Sequence, residues 1–377
     1  MIVFLFGRLL DDALRAAVLE AQVEARAAQL AGYARCGEIA APAGPGLIAA
    51  EGEELAGILV SLGAGARARL ERFAGLTGCR PCDMQVICDG EAVIARLYVS
   101  EDASACGEPG WRPQAWQHQF GRATCLAVQE LLDLTPHHPV DILRARFPMA
   151  LRHAASRLRA ADMPEPARLR GDWRRDAIRP IRETRPYAWF FSMAEDDLQF
   201  RRFDGGWSPE VKRAGFAMCD AVTVLPYDPG RDVVLLIEQF RFGPWLRGAR
   251  NCWSLEPIAG HIDAGESPHD AALREACEEA QITLRQEDLL PVADVYPSPG
   301  AVSEFLFQFV ALCDLPKSLE GVSGLASETE NIRSHILPFD ALLRLIESRE
   351  VQNGPLVLTA FWLATQRDQL RGSAQER

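Results

Sequence analysis

Short apolar runs and stripes of helical spacing alternate along the chain, and their order divides it into three regions. Residues 1–120 combine apolar runs that predict strands with two segments of helical spacing. The predicted strands are Ile2–Phe6, Ala56–Leu62, Met84–Cys88 and Ala92–Tyr98, and the predicted helices are Leu9–Leu30 and Ala64–Phe73. This mixture predicts a first α/β domain over residues 1–120.

The second region, residues 121–186, is predicted to be helical at first and then irregular. One apolar stripe recurs every three or four positions, at Leu143, Phe147, Leu151, Ala154 and Leu158. From Met163 to Pro186 the chain is rich in proline and arginine, which is typical of a linker. The region is therefore interpreted as a helical and Arg/Pro-rich linker between two domains.

The third region, residues 187–377, has the pattern of an α/β domain. Two β-branched runs, Ala221–Pro226 and Val233–Phe240, flank a turn sequence and predict a hairpin. Asn353 lies near the predicted N-cap of the last helix, and Pro355 lies in its first turn. The other predicted elements are strands Phe305–Cys313 and Ile332–Leu337 and helices Asp340–Arg349 and Pro355–Arg371.

Composition and charge exclude several classes of function. The chain has 377 residues with a net charge of -12, which argues against general affinity for DNA or RNA. The apolar run at residues 1–6 is too short for an export signal or a membrane span. Cys79 and Cys82 have the spacing of a zinc or redox pair, but no partner motif accompanies them. We therefore expect a cytoplasmic protein with no membrane or nucleic-acid partner.

The segment from Gly260 to Ile282 carries the clearest chemistry. Ser267 and Pro268 form a strong helix start. If residues 268–280 form one helix, three carboxylates fall within about 100° of each other, with Leu273, Ala276, Cys277 and Ala280 on the opposite side. The three are Glu275, Glu278 and Glu279, and Glu266 in the preceding loop can add a fourth. Clustered carboxylates repel one another unless a hard cation such as Mg²⁺ binds between them.

The spacing of this segment resembles the Nudix box, Gly-x5-Glu-x7-Arg-Glu-U-x-Glu-Glu-x-Gly-U, in which U is apolar. The matching residues are Gly260, Glu266, Arg274, Glu275, Glu278, Glu279 and Ile282. The single departure is Gln281, where the family has a glycine at the helix end. A left-handed conformation there should cost glutamine about 1 kcal/mol of stability without touching the carboxylates.

Motifs around the box resemble the ADP-ribose pyrophosphatase branch of the family. They are Ile237–Arg241, Leu255–Gly260, Tyr296–Gly300 with Glu304, and Ser327–Ile332. The resemblance implies a metal site formed by the Ala259 carbonyl, Glu275, Glu279 and Glu330, supported by Glu278. It also implies that Arg274 belongs to the catalytic segment and that Glu328 is the general base. Arg213 and Arg241 would clamp the diphosphate, Phe190 would stack on adenine, and Glu304 would belong to the substrate site.

The activity that this resemblance implies is hydrolysis of ADP-ribose to AMP and ribose 5-phosphate. Bound Mg²⁺, or Mn²⁺, would activate water and neutralise phosphate charge, and a carboxylate base would deprotonate that water. Relatives in this branch are typically homodimers, so we expect a homodimer. Two alternatives remain open: hydrolysis of other nucleoside diphosphate derivatives such as ADP-sugars or NADH, and binding of ADP-ribose without turnover.

The N-terminal region resembles the gamma-glutamylcyclotransferase fold through Phe6–Leu10 and Arg69–Ala74. Arg8 stands where that family has serine, and Ala74 stands at the position of its catalytic acid. Because no carboxylate is available to move the proton, we expect a non-catalytic binding or scaffolding domain. The combined fold prediction is α/β (α+β), with a cyclotransferase-like α/β barrel, a helical linker and a Nudix α/β/α sandwich. This fusion resembles the bacterial tellurite-resistance-associated group.

Overall fold

A computed structural model describes residues 1–36, 46–100, 111–164, 166, 168–189, 191–324 and 331–375. The chain separates into two compact units, Met1–Ala214 and Gly215–Arg377. None of the helices in these described ranges has the length and apolarity that crossing a membrane requires.

A closed five-stranded barrel forms the start of the first unit. Its order is β1-β3-β2-β4-β5, with β1 antiparallel to β3 and parallel to β5. The strands are β1 Ile2–Leu5, β2 Ala25–Cys36, β3 Gly46–Ser61, β4 Cys79–Cys88 and β5 Glu91–Ser100. Alternate residues of these strands, including Phe4, Leu30, Leu59 and Leu97, pack into one apolar core. The four predicted strands are thus present, and β2 was missed.

The predicted helix Leu9–Leu30 is wrong beyond its first half. A 3-10 turn at Gly7–Leu10 precedes helix α1, Asp12–Leu19, and Glu20 then adopts a left-handed conformation with φ 51°. Residues 25–30 instead pair with β3, and this pairing buries Ala28 and Leu30 in the barrel. Tertiary pairing therefore overrides the helical propensity of this alanine-rich segment.

Four further α-helices lie in the described part of the first unit. They are α2 Ala64–Leu76, α3 Pro113–Trp116, α4 Arg122–Leu134 and α5 Val140–Asp162. The predicted apolar stripe lies on α5, where Leu143, Phe147 and Ala154 are buried. The prediction of irregular structure is wrong from Ile178 onwards, because β6 Ile178–Ala188 pairs with β7 Ser192–Phe200. With β8, Val211–Ala217, they form a three-stranded sheet. The linker role of residues 121–186 stays a prediction.

The CxxC spacing does not form a site. Cys79 and Cys82 both lie on β4 as free thiols. Residues three apart on a strand point to opposite faces and are about 10 Å apart, which is too far for a disulfide. Cys36, at the end of β2, is disulfide-bonded.

A mixed sheet of eight strands organises the second unit. Its central order is β13-β14-β9-β10-β16-β15, and β11 and β12 pair with β10 and β9. The strands are β9 Ala221–Asp228, β10 Val233–Phe240, β11 Trp253–Glu256, β12 Ile258–His261, β13 Leu289–Val295, β14 Leu306–Leu312, β15 Gly321–Ser323 and β16 Ile332–Pro338. The predicted hairpin is present, with Tyr227 paired to Val234.

Helices α7 Pro268–Ala280, α8 Phe339–Glu347 and α9 Gly354–Gln375 pack against this sheet and bury its apolar residues. A short helix, α6 Phe242–Arg247, has no buried residue. Leu225, Leu236, Phe339 and Leu356 share a core between the sheet and the last two helices. Helix α7 contacts β9 and β12. The predicted cap of α9 is also present, because Asn353 Oδ1 accepts a hydrogen bond of 2.9 Å from Leu356 N.

Candidate active site on helix α7

Helix α7 begins at a complete capping box. Ser267 Oγ accepts a hydrogen bond from Asp270 N, and the Asp270 carboxylate accepts one from Ser267 N. Pro268 occupies the first turn, where its missing N–H costs no helical hydrogen bond. These contacts confirm the predicted start and fix the register of the carboxylates that follow.

The carboxylates of α7 are not a solvated acidic face. Glu275 and Glu279 are buried, at 9% and 2% exposure, beside the buried Ala272 and Ala276. On the side opposite the carboxylates, Ala276 and Ala280 are buried, whereas Cys277 is exposed. Small alanine side chains let the helix approach the sheet closely, so the longer glutamates are enclosed with them.

Arg274 binds several of the carboxylates at once. Its Nε and Nη2 donate to Glu266 at 2.9 and 3.0 Å, and its Nη1 donates to Glu275 at 2.7 Å and Glu278 at 3.0 Å. Nη2 also donates to the His261 carbonyl at 2.9 Å. Burial alone would lower the pKa of Arg274, but the contacts with Glu266 and Glu275 raise it well above its usual value. The guanidinium therefore stays charged and offsets the repulsion among these glutamates.

The Glu275 carboxylate lies directly against the backbone of strand β12. A Cβ added at Gly260 would be 1.9 Å from Glu275 Oε1. Only glycine therefore fits beside this carboxylate, which gives the first glycine of the motif a steric reason. On the same strand, Ala259 N donates to Glu279 Oε2 at 3.1 Å.

The end of α7 adopts the conformation expected from the sequence. Gln281 has φ 58° and ψ 30°, in the left-handed region. Its N–H and that of Ile282 donate to the Cys277 and Ala276 carbonyls, at 3.1 and 3.0 Å. The departure from glycine therefore leaves the helix end intact.

A second charged group involves the predicted substrate residues Arg241 and Glu304. Arg241 Nε and Nη2 donate to Glu256 Oε2 at 2.9 and 2.6 Å, and Glu256 is buried at 5% exposure. Burial raises the pKa of Glu304, and the nearby charge of Arg241 opposes this effect. Glu256 was not singled out from the sequence, although its motif was. Its position in the Leu255–Gly260 motif, directly before Pro257, was the signal that the sequence offered.

Not every predicted site residue can be placed beside this cluster. Glu328, Glu330 and Phe190 lie outside the described residues. Arg213 is exposed on β8 in the first unit, and its Nη1 donates to the Lys212 carbonyl at 3.0 Å. The structure thus brings together Ala259, Glu266, Arg274, Glu275, Glu278 and Glu279, and separately Arg241 with Glu304.

The part of the chain that carries helix α7 and strand β12 matches a known protein family. The NUDIX domain family matches residues 218–357. The ADP-ribose pyrophosphatase of Escherichia coli K12 is 37% identical over 177 residues, which are 47% of this chain and 83% of that protein. The chain belongs to the Nudix family. The Nudix match confirms the family predicted from the spacing around Arg274.

Two further relatives share the Nudix part of the chain. The ADP-ribose pyrophosphatase of Haemophilus influenzae is 34% identical over 189 residues, covering 50% of this chain and 86% of that protein. The GDP-mannose pyrophosphatase of Salmonella paratyphi B is 30% identical over 154 residues, covering 41% of this chain and 78% of that protein.

The donors around α7 suit a hard divalent cation. Carboxylate and carbonyl oxygens are the ligands that Mg²⁺ prefers, and the absence of a Cβ at Gly260 leaves room for the Glu275 carboxylate against the backbone. The types of donor atom therefore fit the chemistry of the ion. In the described ranges, no group of three or more Asp, Glu, His or Cys side chains is placed so that it could hold a metal ion, and Glu330, the expected further ligand, lies outside those ranges.

Proposed function

We propose that this Nudix protein hydrolyses the diphosphate of ADP-ribose to AMP and ribose 5-phosphate with Mg²⁺. The observation that carries the proposal is the group of glutamates held by Arg274 on α7. The names of two relatives with the same domain support the substrate. Water adds to one phosphorus, the bridging P–O bond breaks, and the proton of the attacking water is removed by a base.

Ala259, Glu275, Glu279 and Glu330 would hold the metal. Bound Mg²⁺ lowers the pKa of a coordinated water and neutralises charge on the phosphate oxygens. Glu266 accepts from Arg274 on both oxygens and from Asp263 N, so we assign it to holding Arg274 rather than to the metal. Arg274 and Glu278 then position the ligands, and Mn²⁺ could replace Mg²⁺ because its ligand preferences are similar.

The remaining roles concern the substrate. Glu328 would accept the proton of the attacking water. Arg241 would bind the diphosphate, with Glu256 fixing the orientation of its guanidinium. Arg213, Phe190 and Glu304 keep their predicted roles as diphosphate clamp, adenine platform and substrate contact.

For the whole chain we propose a cytoplasmic homodimer. The first unit would be a cyclotransferase-like module without cyclotransferase activity, since Ala74 occupies the position expected for the acid. The predicted domain bounds, 1–120, 121–186 and 187–377, belong to this proposal. The similarity to the tellurite-resistance-associated group enters this proposal only as a resemblance. Sedimentation velocity measures the oligomeric state directly.

The test is a substrate panel with the full chain. ADP-ribose, ADP-glucose, GDP-mannose, NADH and diadenosine polyphosphates are incubated with Mg²⁺ or Mn²⁺, and nucleotide release is measured by chromatography. We expect AMP to form fastest from ADP-ribose. Faster turnover of GDP-mannose or NADH would move the assignment to another nucleoside diphosphate derivative, and an unreactive panel would favour a binding protein.

The variant Glu279→Gln tests the proposed metal site. It removes a buried carboxylate charge while keeping the shape of the side chain, so activity should fall by about 10²–10³-fold. Glu287→Gln, which neutralises an exposed glutamate of the same unit, should retain activity. Full activity in Glu279→Gln would contradict the proposed metal site.

A further inference from the structure

A tight turn with an aromatic sequence joins strands β6 and β7 in the first unit. At its base Ala188 pairs with Ser192, and both residues are buried. Trp189 N donates to the Phe191 carbonyl at 3.0 Å, and the Trp189 side chain is half-exposed. Phe190, the predicted adenine platform, is the middle residue of this connection. The orientation of the turn therefore depends on the contacts that hold its backbone.

One of these contacts comes from helix α5. The Arg146 side chain is only 1% exposed, and its Nη1 donates to the Trp189 carbonyl at 2.7 Å. A hydrogen bond from a charged donor is stronger than one between neutral groups. Because 43 residues separate the two partners in the chain, this bond ties the turn to a distant helix and restricts its movement.

The guanidinium is itself fixed by a neighbouring helix. Arg146 Nη2 donates to Glu130 Oε1 of α4 at 2.8 Å, and His153 Nδ1 lies 3.4 Å from the other Glu130 oxygen. A buried ion pair contributes little net stability compared with apolar packing, because desolvation offsets most of its attraction. Its directional bonds do restrict the geometry of the groups that they join. The pair therefore suits a role in orienting the turn.

We propose that Arg146 is a positioning residue for substrate binding, through which helix α5 holds the Trp189–Phe191 turn and thereby the orientation of Phe190. The inference rests on the proposed function, in which Phe190 stacks on adenine. Stacking depends on the orientation of the two rings. Loss of the Arg146 bond should therefore weaken substrate binding and leave the hydrolytic step at the α7 glutamates unchanged.

The test combines steady-state kinetics of ADP-ribose hydrolysis with hydrogen–deuterium exchange of the turn, both on the full chain. Arg146→Lys keeps a positive charge for Glu130 but replaces a planar group with several donors by a single ammonium. Arg144→Met is the chemically matched control, because Arg144 Nε on the same helix donates at 2.8 Å to the carbonyl of Gly75 in α2. Phe147→Leu is the packing control, because Phe147 is buried beside Arg146 in the sequence.

Arg146→Lys should raise KM about fivefold and keep kcat within about twofold of the wild type. Exchange at the turn should become faster in this variant. Both controls should keep the KM and the exchange of the wild type. Phe190→Leu should raise KM by itself, and adding Arg146→Lys should raise it no further, because both substitutions act on one adenine contact.

The inference is overturned if Arg146→Lys leaves either KM or exchange at the turn unchanged. It is also overturned if Phe147→Leu raises KM equally, or if the effects of Arg146→Lys and Phe190→Leu add in the double variant. If Arg146→Lys does not fold, Glu130→Gln replaces it, because it removes the charge that fixes the guanidinium. If the wild type binds ADP-ribose without turnover, the Kd from calorimetry replaces KM.

Failure of the proposed function gives a different result. A wild type that neither hydrolyses nor binds ADP-ribose would refute that function and this inference with it. An active wild type with an unaffected Arg146→Lys would refute this inference alone.

Discussion

Single residues in the α7 site have sharply defined steric requirements. Gly260 and Gln281 show two opposite cases, since one position has no space for a side chain and the other has an unfavourable backbone conformation. Both positions belong to the same motif, yet only the first contacts a carboxylate. Their substitution therefore separates effects on the site from effects on folding.

Gly260→Ala should damage both stability and activity. The new Cβ would overlap the Glu275 carboxylate, so either β12 or α7 must shift. Overpacking of this kind costs about 1–3 kcal/mol. Urea denaturation and steady-state kinetics would measure the two effects. Gly243→Ala is the control, because an added Cβ there meets nothing within 4 Å. Unchanged activity in Gly260→Ala would contradict the close contact.

Gln281→Gly should stabilise the protein without changing catalysis. Relief of the left-handed conformation at φ 58° is worth about 1 kcal/mol. Denaturant unfolding measures the gain, and Gln281→Ala should show none, because alanine has the same backbone restriction. A loss of activity in Gln281→Gly would mean that this position contributes to the site in addition to ending the helix.

At the scale of elements, the segment before β14 carries a charged group whose burial is unfavourable. Glu304 precedes that strand, and burial raises its pKa against the opposing charge of Arg241. A raised carboxyl pKa means that the folded state binds the proton more tightly than the unfolded state. This contribution to stability is present at low pH and is lost as pH rises through the folded pKa.

Glu304→Gln should therefore be more stable than the wild type at pH 8, and the difference should shrink towards pH 4. Its activity should fall if Glu304 contacts substrate, which would be a trade-off between stability and function. Thermal unfolding across that pH range, with ADP-ribose hydrolysis as the second readout, measures both. Glu287→Gln serves as the exposed control. A stability difference that is independent of pH would argue against burial as its cause.

Strand pairing also explains why the second half of Leu9–Leu30 could not be predicted correctly. Residues 25–30 carry alanine and polar side chains that suit a helix, and their actual partner, β3, is more than 20 residues away in the chain. By contrast, Val233–Phe240 has a β-branched run beside a local turn. Its boundaries were predicted correctly because the information is local.

At the scale of the whole molecule, each unit carries charged contacts of its own. In the first unit, Arg146 is buried and joins helix α5 to Glu130 of α4 at 2.8 Å and to the Trp189 carbonyl at 2.7 Å. Burial alone would raise the pKa of Glu130, but the nearby His153 ring and the hydrogen-bonded Arg146 lower it to about 2. This ion pair therefore stabilises the folded state at neutral pH, and the effect fades as pH falls towards 2.

Arg146→Met should destabilise the protein by about 3–5 kcal/mol at pH 7, because it leaves the buried Glu130 without its arginine. The loss should shrink as pH falls from 4 towards 2, where Glu130 becomes protonated. Calorimetry at pH 7 and in steps from pH 4 to pH 2 measures this, with Arg157→Met as the exposed control on the same helix. Equal destabilisation at pH 7 and pH 2 would indicate a packing effect.

The sequence alone determined the features that depend on neighbouring residues. The cap at Ser267, the left-handed end at Gln281, the hairpin at residues 227–232 and the Nudix spacing are all local, so the chain specifies them without distant partners.

Tertiary structure decided which of those residues become enclosed. Helical periodicity placed Glu275 and Glu279 on one face, but only packing on β12 made that face the buried one. It also joined Arg146 to the Trp189 carbonyl, although 43 residues separate them in the chain. Burial and long-range strand pairing depend on which distant segments pack together, and local patterns along the sequence do not show this.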